Sequence, residues 1–360
     1  MKGFDFPVIN TKTKNAAGQE FMLEDPAERR KYFKLKVGPE IEKIKKYLRR
    51  DTFVGFLLGP KNSGKGTYTK LFMEAVGSDK VVHVSVGDLV RSVHKELSDK
   101  KKKKELVEFL KKNYRGAITV ESALDVILGR DTKTLLPTEI ILALAEREIG
   151  RHAGKAVFID GFPRNLDQIS YSLYFRALMG YRDDPDFFIF IDVPEAVIDE
   201  RMKFRVICPE CHTPRNLKLL CTKEVEYDAK KKVFHLLCDN QTCSGYGKTR
   251  LVAKEGDELG IEVIRDRIEA DSQVTRKLMS LEGISKIYLR NSVPVDVAKK
   301  MVDDYEITPS YRYELDENGK IKVVEEPYTV EDDDGKEVYS LLPAPIAVHM
   351  IRQIAKTLGL

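Results

Sequence analysis

The stretch Thr52–Thr67, TFVGFLLGPKNSGKGT, decides how the chain is read. An apolar run from Phe53 to Leu58 has the make-up of a buried strand and stops at Gly59. From Tyr68 to Val76 the residues read as a helix. Between the two, Gly59, Gly64 and Lys65 satisfy the spacing G-x-x-x-x-G-K. That spacing suits a phosphate cradle. Glycines let backbone N–H groups turn inward on the phosphates, the lysine reaches the β and γ oxygens, and the helix N-terminus adds partial positive charge. The position after the lysine is Gly66, and the hydroxyl usual there comes one place later, at Thr67.

Working outward, four further apolar runs read as strands, and each ends in a polar cluster. VVHVSV (Val81–Val86) runs into Gly87, Asp88 and Arg91, and AVFID (Ala156–Asp160) into Gly161-Phe162-Pro163-Arg164. FFIFIDV (Phe187–Val193) leads through Pro194, at a helix start, into EAVIDERMKFR. KIYLR (Lys286–Arg290) follows a charged helix that carries Arg265 and Arg267. Short apolar strands alternating with helices argue for a parallel sheet covered on both faces, with ligands gathered at the carboxyl ends of its strands. Before the loop, Ile41, Ile44, Tyr47 and Leu48 repeat at helical spacing after Pro39, as a helix packed on the main domain would. The five lysines Lys100–Lys104 read as a solvated helix face rather than an RNA contact. Beyond about Glu306, YRYEL and IKVV flank the turn Asp316–Gly319 as a β-hairpin, and an amphipathic helix from about Ala344 to Leu358 closes the chain.

The 360 residues suit two ordinary domains or one enlarged enzyme domain. Hydrophobic content of 42% against 33% charged is that of a chain able to bury a real core, and a net charge of +4 does not by itself imply nucleic acid. No apolar run approaches the roughly 20 residues of a membrane span, and MKGFDFPVINTK lacks a signal-peptide core. The expected location is the cytoplasm, where the five cysteines serve as metal ligands or free thiols rather than disulfides.

Four phosphate-type motifs, GPKNSGKGT, SVGDLVR, DGFPRNLDQ and DERMKFR, stand in a fixed order. Together they resemble the nucleoside monophosphate kinases, and the adenylate kinases most closely, over about Thr52–Asp304. The resemblance implies a P-loop NTPase fold: α/β, a five-stranded parallel sheet covered by helices, an acceptor-binding helical insertion and a zinc-bearing lid. It divides the chain into an N-terminal extension (1–50), a kinase core (51–305, with the insertion at 86–155 and the lid at 206–256) and a C-terminal hairpin and helix (306–360). By resemblance, ATP is held by Gly59, the backbone of Asn62, Ser63, Gly64, Lys65, Gly66 and Thr67, and by Arg201 stacked on the donor base. The acceptor AMP falls to Ser85, Val86, Arg91, Gly161, Arg164 and Gln168. Lys65, Arg91, Arg164, Arg205 and Arg267 are the catalytic cations, rigid guanidinium forks suiting phosphate. Arg201 and Arg205, four apart, are read as one helix face. Asp88 and Asp160 are candidates to hold Mg²⁺ through water.

Gln168 stands where the family's adenylate kinases keep a glutamine for the adenine edge, and an amide both donates and accepts there. Val86, in place of the threonine usual in adenylate kinases before Gly87, loses a hydroxyl contact and weakens the discrimination, and Asn165 within DGFPRN resembles the UMP/CMP branch. The family's first lid arginine is replaced in LVAKEGDELGIEVIRDR, where Lys254 or Arg250 could substitute and Arg267 or Arg265 could serve as the second.

Phosphoryl transfer needs positioning, charge neutralisation and exclusion of water, hence a closing lid. Cys208-x2-Cys211 and Cys238-x4-Cys243 fall in that segment, and four thiolates at this spacing suit a closed, tetrahedral, structural Zn²⁺ site. Cys221 is left over as a free thiol or an alternative fourth ligand. The functional reading is an ATP:nucleoside monophosphate phosphotransferase with AMP favoured, no membrane partner and no nucleic-acid role. The alternatives are a UMP/CMP kinase and an ATP-responsive protein that binds RNA or a protein partner.

Overall fold

The computed structural model describes residues 3–4, 6–13, 19–128, 138–163, 166, 169, 184–220, 222 and 224–360. Helix α1 (Pro26–Tyr47) precedes β1 (Val54–Leu58), and the glycine loop joins β1 to α2 (Lys65–Val76). Strand β2 (Val81–Ser85) feeds a helical stretch of α3 (Val86–Ser98), α4 (Lys100–Asn113), α5 (Val120–Ile127) and α6 (Thr138–Arg151). Then come β3 (Ala156–Asp160), β4 (Asp186–Asp192) and α7 (Glu195–Lys203). The cysteine segment holds the short strands β5 (Arg205–Ile207), β6 (Pro214–Asn216), β7 (Val225–Asp228), β8 (Val233–Leu236) and β9 (Val252–Ala253). Helix α8 (Arg265–Met279) leads to β10 (Ser285–Arg290), β11 (Ser292–Pro294) and α9 (Val295–Met301). The chain closes with β12 (Pro309–Leu315), β13 (Ile321–Pro327), β14 (Thr329–Glu331), β15 (Glu337–Ser340) and α10 (Pro343–Thr357).

The five apolar runs form one sheet in the order β10-β4-β1-β3-β2, and every pairing is parallel. Side chains alternate along β1. Phe53 and Leu57 join an apolar layer with Phe72, Phe158, Ile189 and residues of α1 and α10. Val54, Phe56 and Leu58 join a second layer with Ile159, Phe188, Leu142 and Val274. Burial on both faces is why the strands read as continuous apolar runs. The register sets Leu57 and Ser85 beside Asp160, so the carboxyl ends of β1, β2 and β3 finish together.

Helix α1 is longer than its apolar repeat suggests. Asp25 caps it, its side chain accepting from Ala27 N and Glu28 N, and it runs past Pro39 with one non-helical residue, Val37 (φ −146°, ψ 27°). Pro39 has no N–H to offer, and its ring crowds the preceding turn, so the helix breaks there and resumes. The second half buries Ile41 and Ile44 as the spacing indicates.

Both ends of the chain meet in one polar cluster. The buried Lys36 ammonium lies 2.6 Å from Asp303 Oδ2 and 3.0 Å from Glu306 Oε1, and it donates to Thr11 O at 2.6 Å. Glu306 is fully buried and also accepts from the Tyr32 and Thr11 hydroxyls, each at 2.6 Å, and from Asp303 N at 2.8 Å. Burial alone would raise the pKa of Asp303, but the hydrogen bond and charge of Lys36 outweigh it and hold the carboxyl below its ordinary value. Such a cluster is tolerable only when every member is satisfied.

The hairpin β12–β13 pairs from Pro309 with Pro327 to Leu315 with Ile321 and lies against the cysteine segment. Tyr311 N donates to Lys218 O at 2.7 Å, and the rings of Tyr313 and Phe234 are 5.8 Å apart. Tyr313 packs on the small core of Val206, Cys208, Leu236, Cys238 and Leu251.

Replacing Lys36 by methionine leaves Glu306 buried without its cation and should cost about 3–5 kcal/mol of folding stability. Urea unfolding measures this, and an unchanged midpoint would show that the cluster does not join the two ends.

Candidate active site

The loop between β1 and α2 is shaped by backbone conformations that side chains resist. Gly59 has φ +153°, and a Cβ there would sit 2.7 Å from Ile191 O. Gly64, at φ +96°, caps α2 with no side-chain bond to the helix, leaving the first N–H groups turned to the cleft. Asn62 is left-handed at φ 66°. The Ser63 side chain is buried, with its hydroxyl unpartnered. Lys65 Nζ donates to Gly59 O at 2.8 Å and Pro60 O at 2.9 Å, and Asp160 Oδ1 is 3.9 Å away. The lysine thus lies folded over the loop it belongs to.

This loop opens on a cleft of about 600 Å³. Among the described residues, five cations line it (Lys61, Lys65, Lys70, Arg91 and Arg267) against the single carboxylate of Asp160. A cleft so unbalanced concentrates anions. Asn62, Ser63, Gly66, Thr67, Ser85 and Gly161 also face it.

Not every expected residue is there. Val86 starts α3 and is buried in the second apolar layer, because β2 ends at Ser85 and the next side chain turns under the helix. Ser85 caps α3, accepting from Asp88 N at 3.4 Å. Asp88 is exposed and accepts from Arg91, which holds its carboxyl below the usual range. It does not line the cleft, so of the two carboxylates proposed for Mg²⁺ only Asp160 presents hard oxygen beside Lys65. Arg164, Asn165 and Gln168 lie outside the described residues.

Arg201 and Arg205 do not share a helix face. Helix α7 ends at Lys203, and Arg205 opens β5 opposite Asn216. The Arg205 guanidinium grips the buried Asp257 through two bonds of 2.5 and 2.8 Å. Arg201 lies over the glycine loop, 3.5 Å from Asn62 O, and donates to Asn291 Oδ1 at 3.2 Å. Of the two later arginines, Arg267 lines the cleft, whereas Arg265 is exposed and paired with Glu262 and Glu195. Arg250 is occupied by Glu226, both bonds 2.8 Å, and Lys254 is exposed.

Two residues escaped the sequence reading. His83, on β2, has its Nε2 3.8 Å from Asp160 Oδ2; burial lowers its pKa, opposed by the nearby carboxylate. A polar residue inside VVHVSV was the available signal. Asn291 carried no motif at all.

Cys208, Cys211, Cys238 and Cys243 bring their sulfurs within 4.8 Å of one another. Tetrahedral ligands about 2.3 Å from zinc stand about 3.8 Å apart. Cys211–Cys238 at 3.7 Å and Cys208–Cys243 at 4.0 Å fit that geometry. Burial pushes the Cys238 thiol up to about 12, while hydrogen bonds from Thr213 draw Cys211 down to about 6. The donor set suits a thiophilic dication. Cys221 lies outside the described residues.

A parallel five-stranded sheet with this loop after its central strand, and cations gathered at the carboxyl edge, defines a P-loop NTPase fold. A family model described as an AAA domain matches residues 58–206. Curated relatives include the adenylate kinase of Thermotoga neapolitana, 28% identical over 236 residues, covering 65% of this chain and 86% of that protein. The adenylate kinase of Thermotoga maritima is 29% identical over 225 residues (62% and 81%), and that of Clostridium tetani 29% over 224 (62% and 83%). The chain is similar to these adenylate kinases, the family its four motifs resemble.

Gly59→Ala should lower stability by about 2–4 kcal/mol, through backbone strain and the clash with a carbonyl oxygen that cannot swing away. Thermal unfolding checks this, and a wild-type Tm would show that the loop relaxes.

Proposed function

We propose that the chain is a nucleoside monophosphate kinase, moving the γ-phosphoryl of ATP to AMP to give two ADP. The observation that carries the reading is the cationic cleft at the carboxyl edge of the sheet, where Lys65, Arg91, Arg267 and Asp160 converge, in a chain similar to adenylate kinases. A protein that merely bound ATP would need no second cluster of guanidinium groups facing the loop.

In this reading an oxygen of the acceptor phosphate attacks the γ-phosphorus as the β–γ bridging oxygen leaves with ADP. Lys65 lets go of the Gly59 and Pro60 carbonyls and follows the charge on the moving group. The free N–H groups at the start of α2 hold the β-phosphate. Arg91, with Arg164, clamps the acceptor, while Arg267 neutralises the transferred phosphoryl, joined by Arg205 once it releases Asp257. Mg²⁺ with ATP supplies charge neutralisation on the β and γ oxygens, and Asp160 would hold it through water. Residues 86–155 form the acceptor side and 206–256 the lid, stiffened by Zn²⁺ on Cys208, Cys211, Cys238 and Cys243. Gln168 reads the adenine edge.

A coupled assay of the purified protein with ATP·Mg²⁺ against AMP, CMP, UMP and GMP separately tests the reading. Turnover with AMP is expected, at a kcat/KM above that for CMP; a ratio below one would move the assignment to the UMP/CMP branch. Lys65→Ala should lose at least about a hundredfold in kcat. A folded variant keeping more than about a tenth of wild-type turnover would remove the lysine from its role.

Elemental analysis should find one zinc per chain in protein purified without chelator. Stripping it should loosen residues 206–256 before the sheet unfolds, because all four ligands lie within one excursion of the chain. Protein free of metal would overturn the zinc assignment.

A further inference from the structure

Asn291 follows β10 at the carboxyl edge of the sheet and is fully buried. Its side-chain amide uses its whole bonding capacity. Nδ2 donates to the Tyr68 hydroxyl at 3.1 Å and to Leu341 O at 3.0 Å. Oδ1 accepts from the Ser340 hydroxyl at 3.1 Å and from the Arg201 guanidinium at 3.2 Å. Two donors and two lone pairs are all an asparagine has. Its backbone is fixed as well, N donating to Asp192 O at 2.9 Å and O accepting from Leu341 N at 3.2 Å.

The partners come from three separate parts of the chain. Tyr68 is in the first turn of α2, and its ring lies so close to Gly64 that a Cβ there would be 2.8 Å from Cζ. Arg201 is near the end of α7 and rests over the loop carbonyl of Asn62. Ser340 and Leu341 belong to the terminal segment, at the end of β15 and just beyond it. Tyr328, just before β14, is buried near Glu200 and Arg201 with its hydroxyl unpartnered. The terminal segment therefore backs the same helix that carries Arg201.

We propose that Asn291 is a positioning residue for the donor nucleotide, holding the Arg201 guanidinium over the glycine loop through a hub that Ser340 and Leu341 complete. On this view residues 306–360 are part of the donor site, not an appendage. Without the hub, a long arginine side chain would sample many rotamers, and ordering it would count against each binding event. The inference rests on the reading of Arg201 as a donor-side residue.

The test is a double-mutant cycle on equilibrium ATP binding, followed by calorimetry, which does not depend on transfer to any acceptor. Arg201→Ala and Asn291→Ala are each expected to weaken ATP by about tenfold, the scale of a hydrogen bond to a charged group. The double variant should be no weaker than Arg201→Ala alone, if Asn291 acts on ATP through the arginine rather than through its bond to Tyr68. Penalties that multiply, or an Asn291→Ala protein that binds ATP as wild type does, would overturn the proposal. So would a wild-type protein that does not bind ATP. Should Asn291→Ala fail to fold, Ser340→Ala takes its place in the cycle, with a loss of about threefold that vanishes in the Arg201→Ala background. ATP binding with this pattern but no phosphoryl transfer would leave the hub standing and remove the kinase reading.

Discussion

The turn between β1 and α2 leaves no room for side chains at its two glycine corners, and that constraint governs the rest of the molecule. β1 is the middle strand of five, flanked by β3 and β4 and buried on both faces. A chain leaving such a strand must turn at once, because Ile191 of the neighbouring strand stands directly against Gly59. The sharp turn is what exposes a run of backbone N–H groups, and the following helix orients them. Strands β2 and β3 finish beside it, so Ser85, Asp160 and Gly161 fall around the same opening. The cleft is a product of sheet register as much as of its charged residues.

Around this centre the terminal regions are integral. Tyr32, Phe33 and Ile41 of α1 share one apolar layer with Ile346, Met350 and Ile351 of α10. The Lys36–Glu306 cluster fixes their relative position with bonds too short and too buried for water to replace. Such a cluster adds little net stability over an apolar equivalent; its contribution is to exclude other registers of the two ends.

The sheet was legible in the sequence because strands buried on both faces are uninterrupted apolar runs, and all five lie within two residues of the limits read. The glycine loop was legible because its geometry demands glycine at fixed places. What escaped was long-range. Lys36 meets Glu306, and Asn291 meets Tyr68, across more than two hundred residues of chain, and neither pairing leaves a local pattern. Arg205 was assigned to a helix face because periodicity does not report where a helix stops. The capping of α7 at Phe204 decides that, and Arg205 turns into a strand to meet Asp257. Val86 looked like part of a polar motif, yet one residue past the strand end is enough to turn it into the core.

The hairpin β12–β13 changes the mechanics of the cysteine segment. A segment entered at Arg205 and left near Asp257, positions clipped together by their own ion pair, resembles a door on a single hinge line. Here the segment is also latched, beside its hinge by Tyr311 on Lys218 and farther out by Tyr313 beside Phe234. The hairpin in turn is fixed at its base, where Thr308 N donates to Ser340 O and Tyr328 N to Thr308 O. Any swing of residues 206–256 as a body must either unfasten the latch or drag the hairpin about a second axis at Thr308 and Tyr328. That second axis ends at Ser340, two bonds from the guanidinium that rests on the phosphate loop.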